Sequence, residues 1–279
     1  MTKSLSRRRT MKKKLRKYLA LARCGILEEL QFRIGAAVRL FGNIIYLVII
    51  YYLWKAIFDS SPTDVVNGMT FENTMIYLVL ASTLFSTMEM YVTWDMGRRV
   101  QSGNIILDLL RPMGYEAYML CGTLGNTLVA VIMNLIPTMV IVYLITNGGF
   151  ALSVNLIYFA VAVLFGTILN YFINFFVGTI CFHTESIWGV NIMKEVVVML
   201  LSGATIPLAF FPETFQKVVH YLPFHAIYNT PLTLLIDNTL STEARLGMLT
   251  TQLLWLIVVG VISRAFLEFS LKKITVNGG

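Results

Sequence analysis

Three ionisable side chains, those of Glu89, Lys194 and Glu195, lie within or beside long apolar stretches of the sequence. A charged side chain at the centre of a bilayer costs about 2.5–3.5 kcal/mol unless it is paired or faces a cavity. These residues are therefore candidates for lining a polar pathway or for binding a coupling ion. Their places near the predicted ends of spans lower the cost, because a long side chain can reach the interface.

Asparagines in the same stretches are candidates for the same pathway, namely Asn43, Asn170, Asn174 and Asn191. Asn170 and Asn174 are four residues apart, as are Asn191 and Glu195, so each pair shares one helix face. A second interpretation is that these asparagines hold helices together, since an interhelical hydrogen bond contributes about 0.6 kcal/mol in a membrane. The sequence leaves both interpretations open.

Sequence patterns of catalytic and metal sites are missing. The chain has no H-E-x-x-H, no G-x-S-x-G and no pair of cysteines at metal-binding spacing. It also lacks G-x-x-x-x-G-K-[ST], so it cannot bind nucleotide phosphates in the P-loop manner. We expect a chain that is not an enzyme and carries no cofactor, and any ATP-driven work requires a separate subunit.

The apolar stretches predict an all-α polytopic membrane protein. Hydrophobic residues make up 57% and charged residues 13% of the 279 residues, whereas about 25% of a soluble domain is charged. A helix crosses a bilayer with about 20 apolar residues. The uncharged stretch 117–184 therefore predicts two spans, and each shorter one predicts a single span; these are 40–54, 73–88, 196–212 and 246–263.

We place six spans at 40–58, 72–92, 118–146, 152–178, 190–210 and 247–269, with a tight hairpin at Gly148 and Gly149. The side of the amino terminus then holds 19 Lys and Arg residues, and the opposite side holds 3. Lys and Arg are retained on the cytoplasmic face. Both termini are therefore expected in the cytoplasm, and the protein in the plasma membrane.

Residues 1–39 are the first predicted region, and residues 40–279 form the membrane domain. The first region carries 12 Lys and Arg residues and predicts an amphipathic helix on the inner leaflet from Met11 to about Arg33, attracted to lipid. No recognition pattern for nucleic acid accompanies the charges. The predicted apolar face consists of Leu15, Leu19, Ala22, Ile26 and Leu30.

Two further segments are too apolar for simple loops. On the inside, residues 95–112 predict a short helix that Ser102 or Asn104 caps and Pro112 ends. Its apolar face, formed by Ile105, Ile106, Leu109 and Leu110, could dock on the membrane or in a groove of a cytoplasmic partner.

On the outside, prolines break residues 211–246 into pieces that are too short to cross. These pieces predict two helices that dip into the outer leaflet and return. They form either a lid over a pathway or a packing element between the fifth and sixth spans.

This order of elements resembles the ABC-2 type transporter permeases and, within them, the daunorubicin-resistance and viologen-exporter-like membrane subunits. The similarity lies in SGNIILDLLRP (residues 102–112) after the second span. It also lies in LSGATIPLAFFPE (residues 201–213), followed by LPF (residues 222–224) and Pro231 before the last span.

The resemblance implies a non-catalytic half-transporter that exports its substrate from a bacterial cytoplasmic membrane. It would pair with a second permease, as a homodimer or heterodimer, and with two copies of a cytoplasmic ATPase that binds ATP and Mg²⁺. By this similarity, the residues expected to contact the ATPase are Arg98, Arg99, Ser102, Gly103, Ile106, Leu109, Leu110, Arg111 and Pro112. The amino-terminal helix is expected to brace the short inside helix that carries them. The residues expected to form an outer gate are Pro207, Phe211, Pro212, Leu222, Pro223, Phe224 and Pro231.

Three alternatives remain open: an ion-coupled secondary transporter that uses Glu89, Lys194 and Glu195, a membrane scaffold, and a membrane-embedded enzyme. Few charges are predicted at the centre of the membrane, which disfavours the first. An apolar pathway rich in Phe and Met favours hydrophobic or amphipathic substrates, such as drugs, peptides or lipids.

Overall fold

Long apolar stretches fold as long helices, because backbone groups that have no access to water must bond to one another. The structure, a computed structural model, describes residues 2–31, 33–146, 154–184 and 187–272. The helices are, in chain order, α1 (Thr2–Gln31), α2 (Arg33–Asp59), α3 (Phe71–Thr87), α4 (Val92–Gln101), α5 (Ile105–Leu109), α6 (Tyr115–Ala130), α7 (Ile136–Ile145), α8 (Val154–Ile180), α9 (Ile187–Leu201), α10 (Glu213–His220), α11 (Asn229–Ile236) and α12 (Thr242–Leu271).

Five helical segments within the described residues are long and apolar enough to cross a membrane. They correspond to the first, second, third, fourth and sixth predicted spans. Their bounds are Phe41–Asp59, Phe71–Gln101, Tyr115–Ile145, Val154–Ile180 and Thr242–Leu271. The hairpin predicted at Gly148 and Gly149 lies outside the described residues.

The fifth predicted span, 190–210, differs most from its prediction. Its helix, α9, has 15 residues and ends at Leu201. Gly203 has a φ of 77°, a conformation that ends helices, and Pro207 follows in a turn that leads to a single 3₁₀ turn at Leu208–Phe210. The residues after Leu201 therefore belong to a non-helical connection.

The second and third spans carry local breaks. The second span, predicted at 72–92, contains a break that was not predicted, because α3 ends at Thr87 and α4 begins at Val92. In the third span, a π-helical turn at Val131–Leu135 joins α6 to α7. Pro137 follows this turn and lacks the N–H that would bond four residues back, which accounts for the local change of pitch.

A two-stranded hairpin precedes α3. Strand β1 (Val65–Val66) pairs antiparallel with β2 (Met69–Thr70). Asn67 and Gly68 form the turn with φ values of 49° and 81°, as the Asn-Gly preference of such turns requires. The Thr70 hydroxyl then caps α3 by accepting a hydrogen bond from the N–H of Asn73 at 3.2 Å.

Helix α1 is longer than predicted and packs on α6. A Cβ atom at Gly125 would overlap the backbone of Ala22, and one at Gly25 would overlap the carbonyl of Gly122, so the two backbones touch. Leu19 is exposed, so the predicted apolar face of α1 coincides only in part with this contact. The expected brace of the inside helix by α1 stays a prediction, since these contacts join α1 to α6.

Helix α8 lies at the centre and contacts two segments that we name here. The proline-rich segment, residues 202–241, packs against its first half, and the arginine segment, residues 92–112, packs against its second half. These contacts place the proline-rich segment towards the beginning of α8 and the arginine segment towards its end.

Candidate functional site

The junction between α3 and α4, residues 88–91, interrupts the second span and exposes the carboxylate of Glu89. Ending a helix here releases backbone carbonyls that need new partners. Asn170 on α8 supplies one, because its side-chain amide donates to the Met88 carbonyl at 2.9 Å. The Tyr91 hydroxyl donates to Glu89 Oε1 at 2.8 Å. The break is therefore fixed by polar contacts.

A chain of hydrogen bonds runs from this junction to α9. The Asn174 amide donates to the backbone carbonyl of Asn170 at 2.9 Å and to its side-chain oxygen at 3.1 Å. Lys194 on α9 donates through Nζ to Asn174 Oδ1 at 2.7 Å. The relay thus couples α3, α8 and α9 through side chains that are mostly buried.

Lys194 and Glu195 differ in exposure. The Lys194 side chain is 10% exposed, the Glu195 side chain is 48% exposed, and Nζ lies 3.9 Å from the nearer carboxylate oxygen. Asn191, fully buried, donates to Glu195 Oε1 at 2.5 Å. The ammonium group is therefore held by the Asn174 amide oxygen more closely than by a carboxylate.

Three cavities meet at Glu89. The first, of about 120 Å³, is walled by the relay and is lined by Phe85, Met88, Glu89, Met90, Asn170, Asn174, Lys194, Glu195, Val198 and Tyr228. The second, of about 300 Å³, lies between α1, α4 and α6 and includes Glu28, Thr87, Asn126 and Asn134. The third, of about 340 Å³, includes Asn43 and Met199.

The structure brings together six of the seven residues predicted for a pathway at or around these cavities, and Asn191 reaches them through Glu195. Sequence reasoning did not assign Glu28, Thr87 or Asn126 to this place. The Thr87 hydroxyl and Asn126 Oδ1 are buried and have no hydrogen-bond partner within the described part of the chain. Only the contact of α1 with α6 brings Glu28 here.

The arginine segment is built around a buried carboxylate, Asp108 of α5, which is 2% exposed. Arg99 on α4 pairs with one carboxylate oxygen, and Arg111 pairs with the other at 3.0 Å. The Arg111 guanidinium also lies 4.2 Å from the centre of the Tyr118 ring. The prediction missed Asp108, although an acidic residue between apolar residues and arginines was a signal for it.

The predicted single helix over 95–112 is two helices with a turn between them. Gly103, with a φ of 72°, lets the chain reverse between α4 and α5. Ser102 ends α4, and the Asn104 amide donates to its hydroxyl at 3.0 Å, so neither side chain caps α5. The chain passes Pro112 before α6 begins at Tyr115.

The predicted apolar face of this segment also needs correction. Ile105 is buried, whereas Ile106 and Leu109 are only partly buried. The side chains that project are those of Leu107 and Leu110, which are 66% and 76% exposed. A turn of five residues carries Asp108 inward and Leu107 outward, since adjacent positions on a helix lie about 100° apart.

Close contacts tie α4 to the bundle. The Thr93 hydroxyl donates to the backbone carbonyl of Asn174 at 3.0 Å. A Cβ atom at Gly178 would lie 2.6 Å from the Met96 sulfur, and one at Gly97 would overlap the Ile187 side chain. Helix α4 therefore touches α8 and α9 directly, the two helices that also hold the polar relay.

The proline-rich segment contains the two short helices expected there, α10 and α11. Tyr77 on α3 donates to the Gly203 carbonyl at 2.9 Å. Gln252 on α12 donates to the carbonyls of Ala162 and Ala226 at 2.8 Å each. Gly166 approaches the segment so closely that a Cβ atom there would lie 2.8 Å from the Ile227 carbonyl oxygen.

The residues predicted for a gate have different degrees of burial in this segment. Pro207 and Pro231 are buried, Pro212 is exposed, and the others, Phe211, Leu222, Pro223 and Phe224, are partly buried. Phe211 stacks on Phe215 with ring centres 4.7 Å apart. Burial lowers the pKa of His225, whose Nδ1 lies 2.7 Å from the Leu222 carbonyl.

Comparison with known proteins bears on the whole membrane region. The sequence profile of a family described as ABC-2 family transporter protein matches residues 44–278, which is more than four-fifths of the chain. No curated protein matches the sequence. The match spans the arginine segment, the polar relay and the proline-rich segment. With several apolar helices long enough to cross a membrane, this chain belongs to the ABC-2 transporter family.

Proposed function

We propose that this chain is the permease subunit of an ABC exporter and works with a separate cytoplasmic ATPase. The chain has no P-loop of its own, so ATP and Mg²⁺ would bind to the partner. In this proposal α9 is a sixth, shorter span, both termini face the cytoplasm, and the arginine segment lies on the cytoplasmic side. Two permeases, identical or different, pair with two ATPase copies.

The observation that carries this proposal is the projection of Leu107 and Leu110 from a fixed support. Exposed leucines at the end of a segment, held by Asp108 and two arginines, suit an apolar groove on a partner. Such a projection can transmit force because α4 packs directly on α8 and α9.

The path of that force leads to Glu89. Helix α4 begins three residues after Glu89. The polar relay from Met88 to Lys194 joins α8 to α9, the two helices on which α4 packs. Movement of α4 would therefore move the walls of the cavities at this junction. Uncharged polar groups there, including the Thr87 hydroxyl, which is buried and has no hydrogen-bond partner among the described residues, could bind polar parts of a hydrophobic or amphipathic substrate.

The proline-rich segment is the proposed outer gate. It closes the opposite end of the bundle by contacts with α3, α8 and α12, so a displacement of these helices would open it. Helices that enter the outer leaflet and return are compatible with this role, because their broken backbone is covered by protein.

The test is the double substitution Leu107→Asp and Leu110→Asp in the chain purified from its native membrane in mild detergent. We expect the ATPase to copurify with the unchanged chain and to be lost from the variant by about 100-fold, since two carboxylates would enter an apolar groove. Mass spectrometry of the purified sample identifies the ATPase and any second permease.

The matched control is Val218→Asp with Tyr221→Asp, because these side chains are 57% and 80% exposed in the proline-rich segment. This control should retain the ATPase. Retention of a fully active ATPase by the Leu107 and Leu110 variant would contradict the docking role.

A second candidate function is an ion-coupled secondary transporter that acts without an ATPase. The buried ammonium of Lys194 between Asn174 and Glu195, beside a cavity that also holds Glu89, favours it. Proteoliposomes that contain this chain alone distinguish the two functions. Substrate movement driven by an ion gradient without ATP would support the second candidate.

A further inference from the structure

The arginine segment contains an open cleft in which positive charge exceeds negative charge. Its volume is about 490 Å³, and its lining consists of Asp95, Arg98, Arg99, Ser102, Asn104, Leu107, Asp108 and Arg111. Three guanidinium groups face two carboxylates there. Arg98 and Asp95 form a separate exposed pair at 2.6 Å, which leaves two arginines for the single carboxylate of Asp108.

The two inner arginines retain donors that the chain does not use in their ion pairs. A guanidinium has five N–H donors, and each of these two contacts Asp108 through one terminal nitrogen. The side chains of Arg99 and Arg111 are 36% and 41% exposed. Their remaining donors are therefore accessible from the cleft.

The donors are also held in place before any partner arrives. Asp108 is buried and fixes both guanidinium groups, and the Tyr118 ring supports that of Arg111. When an anion enters such a site, the arginine side chains lose little further conformational entropy, because they are already ordered. Planar guanidinium groups match the geometry of a carboxylate.

We propose that the cleft binds one Asp or Glu side chain of the ATPase subunit, held between Arg99 and Arg111. The proposal rests on the function proposed above. Leu107 lies in the lining and Leu110 is exposed beside it, so the complementary surface combines one carboxylate with an apolar groove. That combination describes a protein surface better than it describes a phospholipid headgroup.

The experiment uses the copurified complex and a carbodiimide, which joins an amine to a carboxylate only when the two are in contact. The arginine segment contains no lysine, so Arg111→Lys places a single amine in the cleft and keeps a positive charge beside Asp108. Arg98→Lys is the matched control, because that side chain is 71% exposed and lies at the rim.

We expect Arg111→Lys to give a cross-link to one Asp or Glu of the ATPase, which peptide mass spectrometry identifies, and Arg98→Lys to give none to that residue. Loss of the planar guanidinium group should also weaken ATPase binding by about 10-fold in the Arg111 variant. Substitution of the identified acid by Asn or Gln should weaken binding by a similar factor.

Three results would overturn the inference. An intact complex whose only cross-link joins the introduced amine to Asp108 would show an unused cleft. Native mass spectrometry that finds an anionic lipid lost from the Arg111 variant, with ATPase binding unchanged, would assign the cleft to a headgroup. Failure of the unchanged chain to copurify with any ATPase would remove both this inference and the proposed function, whereas the first two results leave that function intact.

Discussion

The two segments that pack on opposite ends of α8 are organised by different chemistry. At the first half, uncharged donors from Tyr77 and Gln252 bond to backbone carbonyls of the proline-rich segment and α8. At the second half, a buried carboxylate, Asp108, organises the arginine segment through two guanidinium groups. Both segments interrupt regular helices, and both therefore expose backbone groups that need partners.

The difference follows from what each segment touches. The proline-rich segment packs around buried apolar residues such as Ile227, Tyr228 and Leu232, where an unpaired charge would be costly and a neutral hydrogen bond is not. The arginine segment has side chains of Arg98 and Leu110 that are largely exposed. Ionic contacts suit a surface that a partner can cover, and neutral contacts suit the part of the proline-rich segment that is buried within the protein.

The largest effect is expected from Gly166→Ala, which tests how tightly the proline-rich segment is packed. The added Cβ atom would lie 2.8 Å from a backbone oxygen of Ile227, which cannot move as a side chain can. We expect the free energy of unfolding in detergent to fall by about 1–3 kcal/mol. Gly189→Ala is the control, since nothing lies within 4 Å of its Cβ position, and it should be neutral or stabilising. Equal stability of both variants would show that the proline-rich segment is not tightly packed against Gly166.

Asp108→Asn is expected to have the next largest effect, at the other end of α8. The neutral side chain leaves two arginines without their shared carboxylate, but these are partly exposed and can bind water. We expect a loss of about 1–2 kcal/mol of unfolding free energy. Asp95→Asn should change it by less than about 0.5 kcal/mol, because that pair is exposed. Thermal unfolding of the two variants side by side measures the difference, and similar small shifts would show that Asp108 does not organise the segment.

Tyr77→Phe removes one neutral hydrogen bond and no apolar surface. The hydroxyl bonds to the Gly203 carbonyl at 2.9 Å and lies 3.2 Å from Asn229 Oδ1. We expect a loss of about 0.6–1 kcal/mol, together with faster hydrogen exchange confined to the proline-rich segment. Exchange that rises equally in the arginine segment would show that the two ends of α8 are not independent.

The smallest expected effect is a change in how stability depends on pH, and it arises in the proline-rich segment. Burial lowers the pKa of His225, so the folded chain favours the neutral ring, and its stabilising contribution is lost as pH falls below the ordinary histidine range. Thermal unfolding at pH 7.5 and 5.5 should therefore differ less for His225→Gln than for the unchanged chain. His220→Gln should keep most of the pH response, because burial lowers the pKa of His225 more than the neighbouring His220 ring does, whose centre lies 4.9 Å away. An identical response in all three proteins would place the titrating group elsewhere.

Apolar stretches between charges were sufficient to predict the five long apolar helices found in the described residues, because hydrocarbon tolerates few other structures. The early end of α9 had its signals in Gly203 and Pro207, but the hydropathy of residues 202–210 outweighed them. The break at residues 88–91 had no such signal, since its partner, Asn170, lies on a helix 82 positions away.

The sequence predicted which residues belong to the candidate site better than it predicted how they are arranged. Glu89, Lys194 and their asparagines were identified because polar groups in apolar stretches are conspicuous. Their assembly around one junction depends on how α3, α8 and α9 pack, which a single sequence does not encode locally. Asp108 was missed although Arg111 lies only three residues away, since its other partner, Arg99, comes from the opposite side of the glycine turn.

The π-helical turn at Val131–Leu135 has a consequence for insertions and deletions. Such a turn holds one residue more than an α-helical turn over nearly the same rise. Removal of one residue, for example the exposed Ile132, would let the chain regain ordinary pitch while α7 keeps its orientation relative to α6, because the π-helical turn already absorbs the extra residue. Asn134 would then stay near the wall it shares with Thr127 and Asn126. A deletion in the regular part of α6 or α7 would instead rotate the part of the helix beyond it by about 100°, so this turn is the place in the third span where the loss of one residue leaves the polar face in position.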